Sequence, residues 1–244
     1  MKNLFLFLFL LVVFTSKAQD NRVSGLNSRQ FTKYWKVESE SPDYKVTFQG
    51  DTAEIVSPKG LTLWRKEKMS GKVTIEYDAC VVVESDGDRL SDLNCFWMAS
   101  DPQYPDNLWK REKWRSGIFL NCYSLQLYYL GYGGNHNSTT RFRRYDGDES
   151  GITNPKARPA ILKEYTDAGH LLKPNHWYHI KITNENNRVS YYIDGERLVD
   201  FRDAEPLREG WFGFRTTLSR TRITNFSYEC SSQEAATCLL YTSP

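Results

Sequence analysis

The residues best equipped for chemistry cluster between positions 131 and 146. Gly131, Gly133 and Gly134 permit a tight turn, Asn135, His136 and Asn137 fill it with polar side chains, and Arg141, Arg143, Arg144 and Tyr145 follow. If 140–145 is a strand, alternation puts Arg141 and Arg143 on one face with Tyr145 beside them. Two guanidiniums on one face repel unless something anionic lies between them. The carboxylate of a uronate sugar would serve, because arginine grips carboxylates bidentately; Asp or Glu side chains on neighbouring strands are the alternative. An imidazole can donate or accept a proton under mild conditions, so His136 is the candidate acid or base, unless it is an ordinary polar loop residue. Tyr132 or Tyr145 is its candidate partner in proton transfer, and Asn135 and Asn137 are candidate substrate contacts. This set matches β-elimination: cations neutralise the uronate carboxylate and acidify the C5 proton, a base removes it, and an acid protonates the leaving oxygen.

A further arginine belongs with these. In residues 211–216 alternation puts Trp211, Gly213 and Arg215 on one face and Phe212, Phe214 and Thr216 on the other. The phenylalanines mark the core side, so Arg215 is expected to face the groove and help hold an anionic sugar. A salt bridge to a neighbouring acidic side chain is the competing expectation. Gly213 leaves space beside Arg215 for a ligand or a neighbouring chain.

Other candidates carry less. His170, His176 and His179 are read as structural. Glu76-Tyr77-Asp78 begins a glycosidase-like carboxylate strand, but Cys80 and Val81 occupy both possible third positions, so the pattern fails. Asp86-Gly87-Asp88 and Asp146-Gly147-Asp148 are the places for a structural calcium, yet each lacks a fuller oxygen cage and reads better as a solvated turn. No cofactor or catalytic metal is expected. The 101–116 loop exposes Trp109 and Trp114 to suit a glycan cleft, whereas Trp97, Trp177 and Trp211 read as core.

Strands must position these groups. Helix signals are scarce, and period-2 or continuous apolar runs bounded by turn residues recur throughout. Strands are expected over 73–84, 93–99, 117–130, 177–183, 188–193, 197–201, 211–216 and 223–228, with Asp194-Gly195 as a tight turn. Long polar loops separate them at 85–91, 101–116, 132–140 and 146–174, a length that is usually functional. The fold expected is an all-β sandwich of two antiparallel sheets.

Whole-chain features set the context. Positions 1–18 read as a signal peptide, with Lys2, an apolar run too short to span a membrane, and Ser16-Lys17-Ala18 before the cut. The product is expected to be secreted or periplasmic, one domain over 19–230, with 231–244 a tail outside the fold. A net charge of +2 argues against a general polyanion binder such as a nucleic-acid protein, so any taste for acidic ligands must be local. Five cysteines leave at least one unpaired, and one disulfide among Cys80, Cys95 and Cys122 is allowed.

The stretches WYHIKITNENNRVSYYIDGERLVDFRD and GWFGFRTTLSRTRITNFSY resemble the C-terminal half of concanavalin-A-like jelly rolls. LGYGGNHNSTTRFRRYDG and ILKEYTDAGHLLKPNHWYHI resemble an uncharacterised secreted jelly-roll family similar to YesU-like proteins, which are found beside pectin-degrading enzymes. The resemblance spans positions 31–228 and implies a secreted protein that works on carbohydrate. The leading expectation is a polysaccharide lyase cleaving an acidic polysaccharide or oligosaccharide. A non-catalytic glycan-binding module, or a hydrolase or lyase of 3-keto-disaccharides, are the alternatives.

Overall fold

Alternating segments recur through the described residues and fold into antiparallel strands. The computed structural model describes residues 22–231. Its strands are β1 (Val23–Ser24), β2 (Trp35–Ser39), β3 (Lys45–Gln49), β4 (Thr52–Arg65), β5 (Met69–Ser70), β6 (Lys72–Val81) and β7 (Leu93–Ser100). There follow β8 (Gln126–Gly133), β9 (Thr139–Asp146), β10 (Lys163–Tyr165), β11 (Tyr178–Glu185), β12 (Arg188–Ile193), β13 (Glu196–Arg202) and β14 (Glu209–Ser231).

Two long strands, β4 and β14, join the layers. The first part of β14 pairs with β7, and beyond it run β8, β9 and β10; its later part pairs with β6, and beyond it run β11, β12 and β13. β4 follows β14 through both halves, pairing Thr62 with Arg215 and Ala53 with Ile223. The register shifts between Thr217 and Ser219, where Leu218 sits at φ 48°. That bulge bends both strands from one layer into the other. The result is a β-sandwich.

Between the layers lies the main core. On β6, Val73, Ile75, Tyr77, Ala79 and Val81 are buried while Thr74, Glu76 and Asp78 are not. Rings meet across the gap, Tyr77 edge-on to Phe214 at 4.9 Å and Phe142 against Phe201 at 5.6 Å. Cys80, Cys95, Cys122 and Cys230 are free thiols, so the allowed disulfide does not form; Cys238 lies outside the described residues. Burial pushes the Cys95 thiol up to about 12, which leaves it a small apolar side chain.

One expected strand starts late. Residues 117–125 form no strand; Leu120–Ser124 is a 3-10 turn, and β8 begins at Gln126. The reason is packing: the segment lays Phe119 and Tyr123 over the outer face of the β7–β8–β9 sheet, in a second apolar cluster with Phe96, Leu127 and Tyr145. Among the described residues no helix is long and apolar enough to cross a membrane. The expected signal peptide and the tail beyond Ser231 lie outside the described residues.

Candidate functional site

Strand register brings together residues that are far apart in sequence. Glu164 of β10 stands opposite Arg141 of β9, Arg141 opposite Gly131 of β8, and Gly131 opposite Asn94 of β7. Asn94 in turn faces Arg215 of β14, Arg215 faces Thr62 of β4, and Thr62 faces Glu38 of β2. One polar row therefore crosses seven strands on the outer face of this sheet. The next row runs Arg143, Tyr129, Phe96, Gly213 and Trp64.

Where the 101–124 roof ends, this face opens into a groove of about 440 Å³. Asn135, His136, Arg141, Arg143 and Arg215 all line it, so the turn and the arginines singled out in the sequence do converge. Asn135 and His136 are exposed at its rim, both with left-handed backbones at φ 50° and 57°. Arg141 hydrogen-bonds Glu164 on the adjacent strand, the acidic neighbour that had been the alternative to a ligand. Arg143 donates to the carbonyl of Pro159. Arg215 is only 3% exposed, yet it donates to the Gly117 carbonyl and to Thr62 Oγ1 at 3.4 Å. Among the described residues it has no ion pair, because the nearby Glu38 is taken by Arg115 at 3.0 Å.

Three assigned residues do not reach the groove. Tyr145 shares the arginines' strand face, but its end of that face lies under the roof, and it is fully buried against Tyr123 and Tyr129. Tyr132 falls on the opposite face of β8, in the main core against Tyr178, its hydroxyl donating to Leu171 O at 3.3 Å. Asn137 is a brace: its amide donates to Leu172 O and its carbonyl accepts from Leu172 N. The space expected beside Gly213 is filled by the Trp64 ring.

The tyrosine that does line the groove is Tyr129. Its ring folds over Gly131, where a Cβ would collide with the hydroxyl. Burial raises its phenol far above the usual value and Asp92 adds to this, while Arg215 and Arg143 work against it. Alternation carried the signal: Tyr128 and Tyr129 must take opposite faces, and Gly131 shares the face of Tyr129. Asp92, Glu40, Arg89 and Arg158 complete the charged lining, with the neutral amide of Asn94 among them. Arg89 is paired with Asp92, and Arg158 donates to Gly151 O at 3.4 Å. Five guanidiniums thus face two carboxylates.

The remaining candidates have structural partners. His170 stacks on Tyr165 at 4.0 Å, His176 packs edge-on to Tyr178, and His179 bonds Asp78 at 2.7 Å. Glu76 bridges Lys181 and Arg22 on the outer face of the other layer. Trp109 packs on Trp211, Trp114 and Tyr104 are the exposed rings of that loop, and Trp177, expected in the core, is exposed. In the two acidic turns Asp88 accepts the amides of Glu84 and Ser85, Asp148 accepts the amide of Ser150, and Asp146 pairs with Arg144. Among the described residues there is no group of three or more His, Cys, Asp or Glu side chains placed to hold a metal.

The architecture is that of the galectin-like and concanavalin-A-like β-sandwiches. The chain belongs to the family of the domain of unknown function DUF6250, whose model matches residues 55–226. Among solved structures it is similar to a Bacillus subtilis protein of unknown function with a galectin-like fold. That match has a TM-score of 0.67 at 16% identity and covers 87% of this chain and 96% of the other. It is also similar to the carbohydrate-binding module CBM66 from B. subtilis, with a TM-score of 0.52, 16% identity and coverage of 80% and 94%. A third similar structure is the Ca2+/Man3GlcNAc-bound exoplasmic/lumenal domain of VIP36, with a TM-score of 0.56, 9% identity and coverage of 90% and 92%. These likenesses establish the fold. No curated protein matches the sequence.

Proposed function

We propose that this protein binds an acidic glycan outside the cell, with the uronate carboxylate held in the arginine groove. The observation that carries the reading is Arg215, a guanidinium 3% exposed that hydrogen-bonds only neutral oxygens. A buried charge is costly unless an opposite charge meets it. A carboxylate entering between Arg215 and Arg143 supplies that charge, while the exposed rim of Asn135, His136 and Glu40 suits sugar hydroxyls. Support also comes from the neighbours, which include a carbohydrate-binding module and a mannose-glycan complex, and from the leader-like start of the chain. The test is calorimetric titration with galacturonate oligomers and with neutral galactose oligomers of equal length. Uronates should bind and Arg143→Ala should weaken them at least about tenfold, the scale of a lost charged hydrogen bond. Equal affinity for neutral and acidic oligomers sinks the reading.

Tyr129 favours one second reading, β-elimination. Its phenol lines the groove beside the arginines, and His136 stands at the rim. In that reaction a base takes the C5 proton, the electrons form the C4=C5 double bond, the C4–O bond breaks, and the leaving oxygen is protonated. The product's conjugated carboxylate absorbs in the ultraviolet. Absence of that absorbance across pectic, alginate and ulvan-type substrates leaves binding alone.

A further inference from the structure

The outer face of the second layer carries a trough that the groove does not explain. Register aligns Thr74 of β6 with Thr183 of β11, Thr183 with Ser190 of β12, and Ser190 with Asp200 of β13. Small hydroxyl residues therefore form a floor across the sheet. At about 4.8 Å per strand the row is roughly 14 Å long. One wall is Tyr192 with Arg197; the other is Glu185, Arg188 and Arg202, with Lys72 at the end. Larger side chains on both sides of a small-residue floor leave a hollow of about 450 Å³.

Its charge is lopsided. Lys72 pairs with Glu185 at 2.8 Å, and Arg188 forks onto Asp200 at 2.6 and 2.7 Å. Arg197 reaches the same Asp200 at 3.3 Å. Arg202 stands directly opposite Arg188 in the register and, among the described residues, has no ion pair. Like charges directly opposite destabilise a strand pair. Asp200 offsets Arg188, and an external anion beside Arg202 would offset the other charge.

We propose that this trough is a second site for the same acidic glycan, resting on the reading of the groove above. The hydroxyls of Thr74, Thr183 and Ser190 offer hydrogen bonds along the floor, Tyr192 offers a ring edge or face, and Arg202 takes a carboxylate. A polymer long enough to engage groove and trough, on one molecule or on neighbours along the chain, gains avidity that a short oligomer lacks.

The experiment measures polygalacturonate and digalacturonate binding to the wild type, Thr183→Trp, Arg202→Glu and Arg143→Ala. Thr183 and Arg202 point outward, and each variant's melting curve confirms folding. Thr183→Trp fills the trough and Arg202→Glu reverses its charge. Both should lower polygalacturonate affinity at least about tenfold while digalacturonate affinity, read at the groove, stays at the wild-type value. Arg143→Ala should do the reverse, removing digalacturonate and sparing part of the polymer binding. Folded trough variants that bind polygalacturonate like the wild type overturn the proposal. So does an equal loss for dimer and polymer in Thr183→Trp, which means a single site. If Arg143→Ala changes neither ligand while the trough variants lose the polymer, the groove reading falls and the trough stands. Duplex DNA competing at the trough as well as polygalacturonate overturns the glycan assignment.

Discussion

Arg215 rests its guanidinium against Gly60, whose missing side chain leaves room for it: a Cβ there would strike Arg215, Glu40 Oε1 and the Gly117 carbonyl together. The glycine on β4 thus positions an arginine of β14 for the groove. Gly60→Ala should displace the Arg215 fork, reduce uronate affinity, and cost about 1–3 kcal/mol through overpacking. Gly87→Ala, facing open space, is the matched control and should leave both unchanged. Titration calorimetry and urea denaturation read the two effects. A Gly60→Ala protein with normal affinity shows that Arg215 is not held by this gap.

Tyr145→Phe separates the buried tyrosine from the groove. The Tyr145 hydroxyl is enclosed with no hydrogen-bond partner among the described residues. Removing an unsatisfied buried polar group while keeping the ring should raise stability by about 1 kcal/mol and leave ligand binding untouched. The urea midpoint decides it, and a clear loss of stability contradicts this placement.

Tyr129→Phe is the complementary variant. The ring keeps its contacts with Phe96 and Phe119 at 5.5 Å, so the fold should change by less than about 1 kcal/mol. Only the hydroxyl, which lies over Gly131 in the groove lining, is lost. Uronate affinity should fall modestly, and if the protein is a lyase, its turnover should fall far more than its affinity. Turnover unaffected by Tyr129→Phe removes the phenol from the reaction.

His170 ties stability to pH. Its ring nitrogens face Asp167 at 2.7 Å and Glu196 at 3.2 Å. Partial burial opposes the charged form, but these two hydrogen bonds outweigh it and hold the imidazolium above the usual 6.5. A raised folded value means the contribution is complete below about 6.5 and is lost as pH rises through the folded value. His170 O also accepts from Thr140 Oγ1 at 2.6 Å, at the base of the His136 turn. The melting-temperature gap between wild type and His170→Gln should therefore be largest in mild acid and shrink toward alkaline pH. A gap that is constant or widens with pH rules this linkage out.

Local sequence settled which face each groove residue takes. Side chains alternate with period two, so Arg141 with Arg143, and Arg215 opposite Phe214, followed from spacing alone. The sandwich itself was equally legible, because strand after strand repeats that pattern between turn residues. Spacing also put Tyr145 on the arginines' face, correctly, yet the face is covered at that end by Phe119 and Tyr123 and open at the other. No period within β9 marks where the roof stops. The pairing of β7 with β14 sets Asn94 beside Arg215, and the pairing of β14 with β4 sets Arg215 on Gly60; both join residues distant in sequence. Such neighbours are chosen by the packing of whole sheets, so tertiary structure alone determined which arginine met a carboxylate and which was left facing the groove.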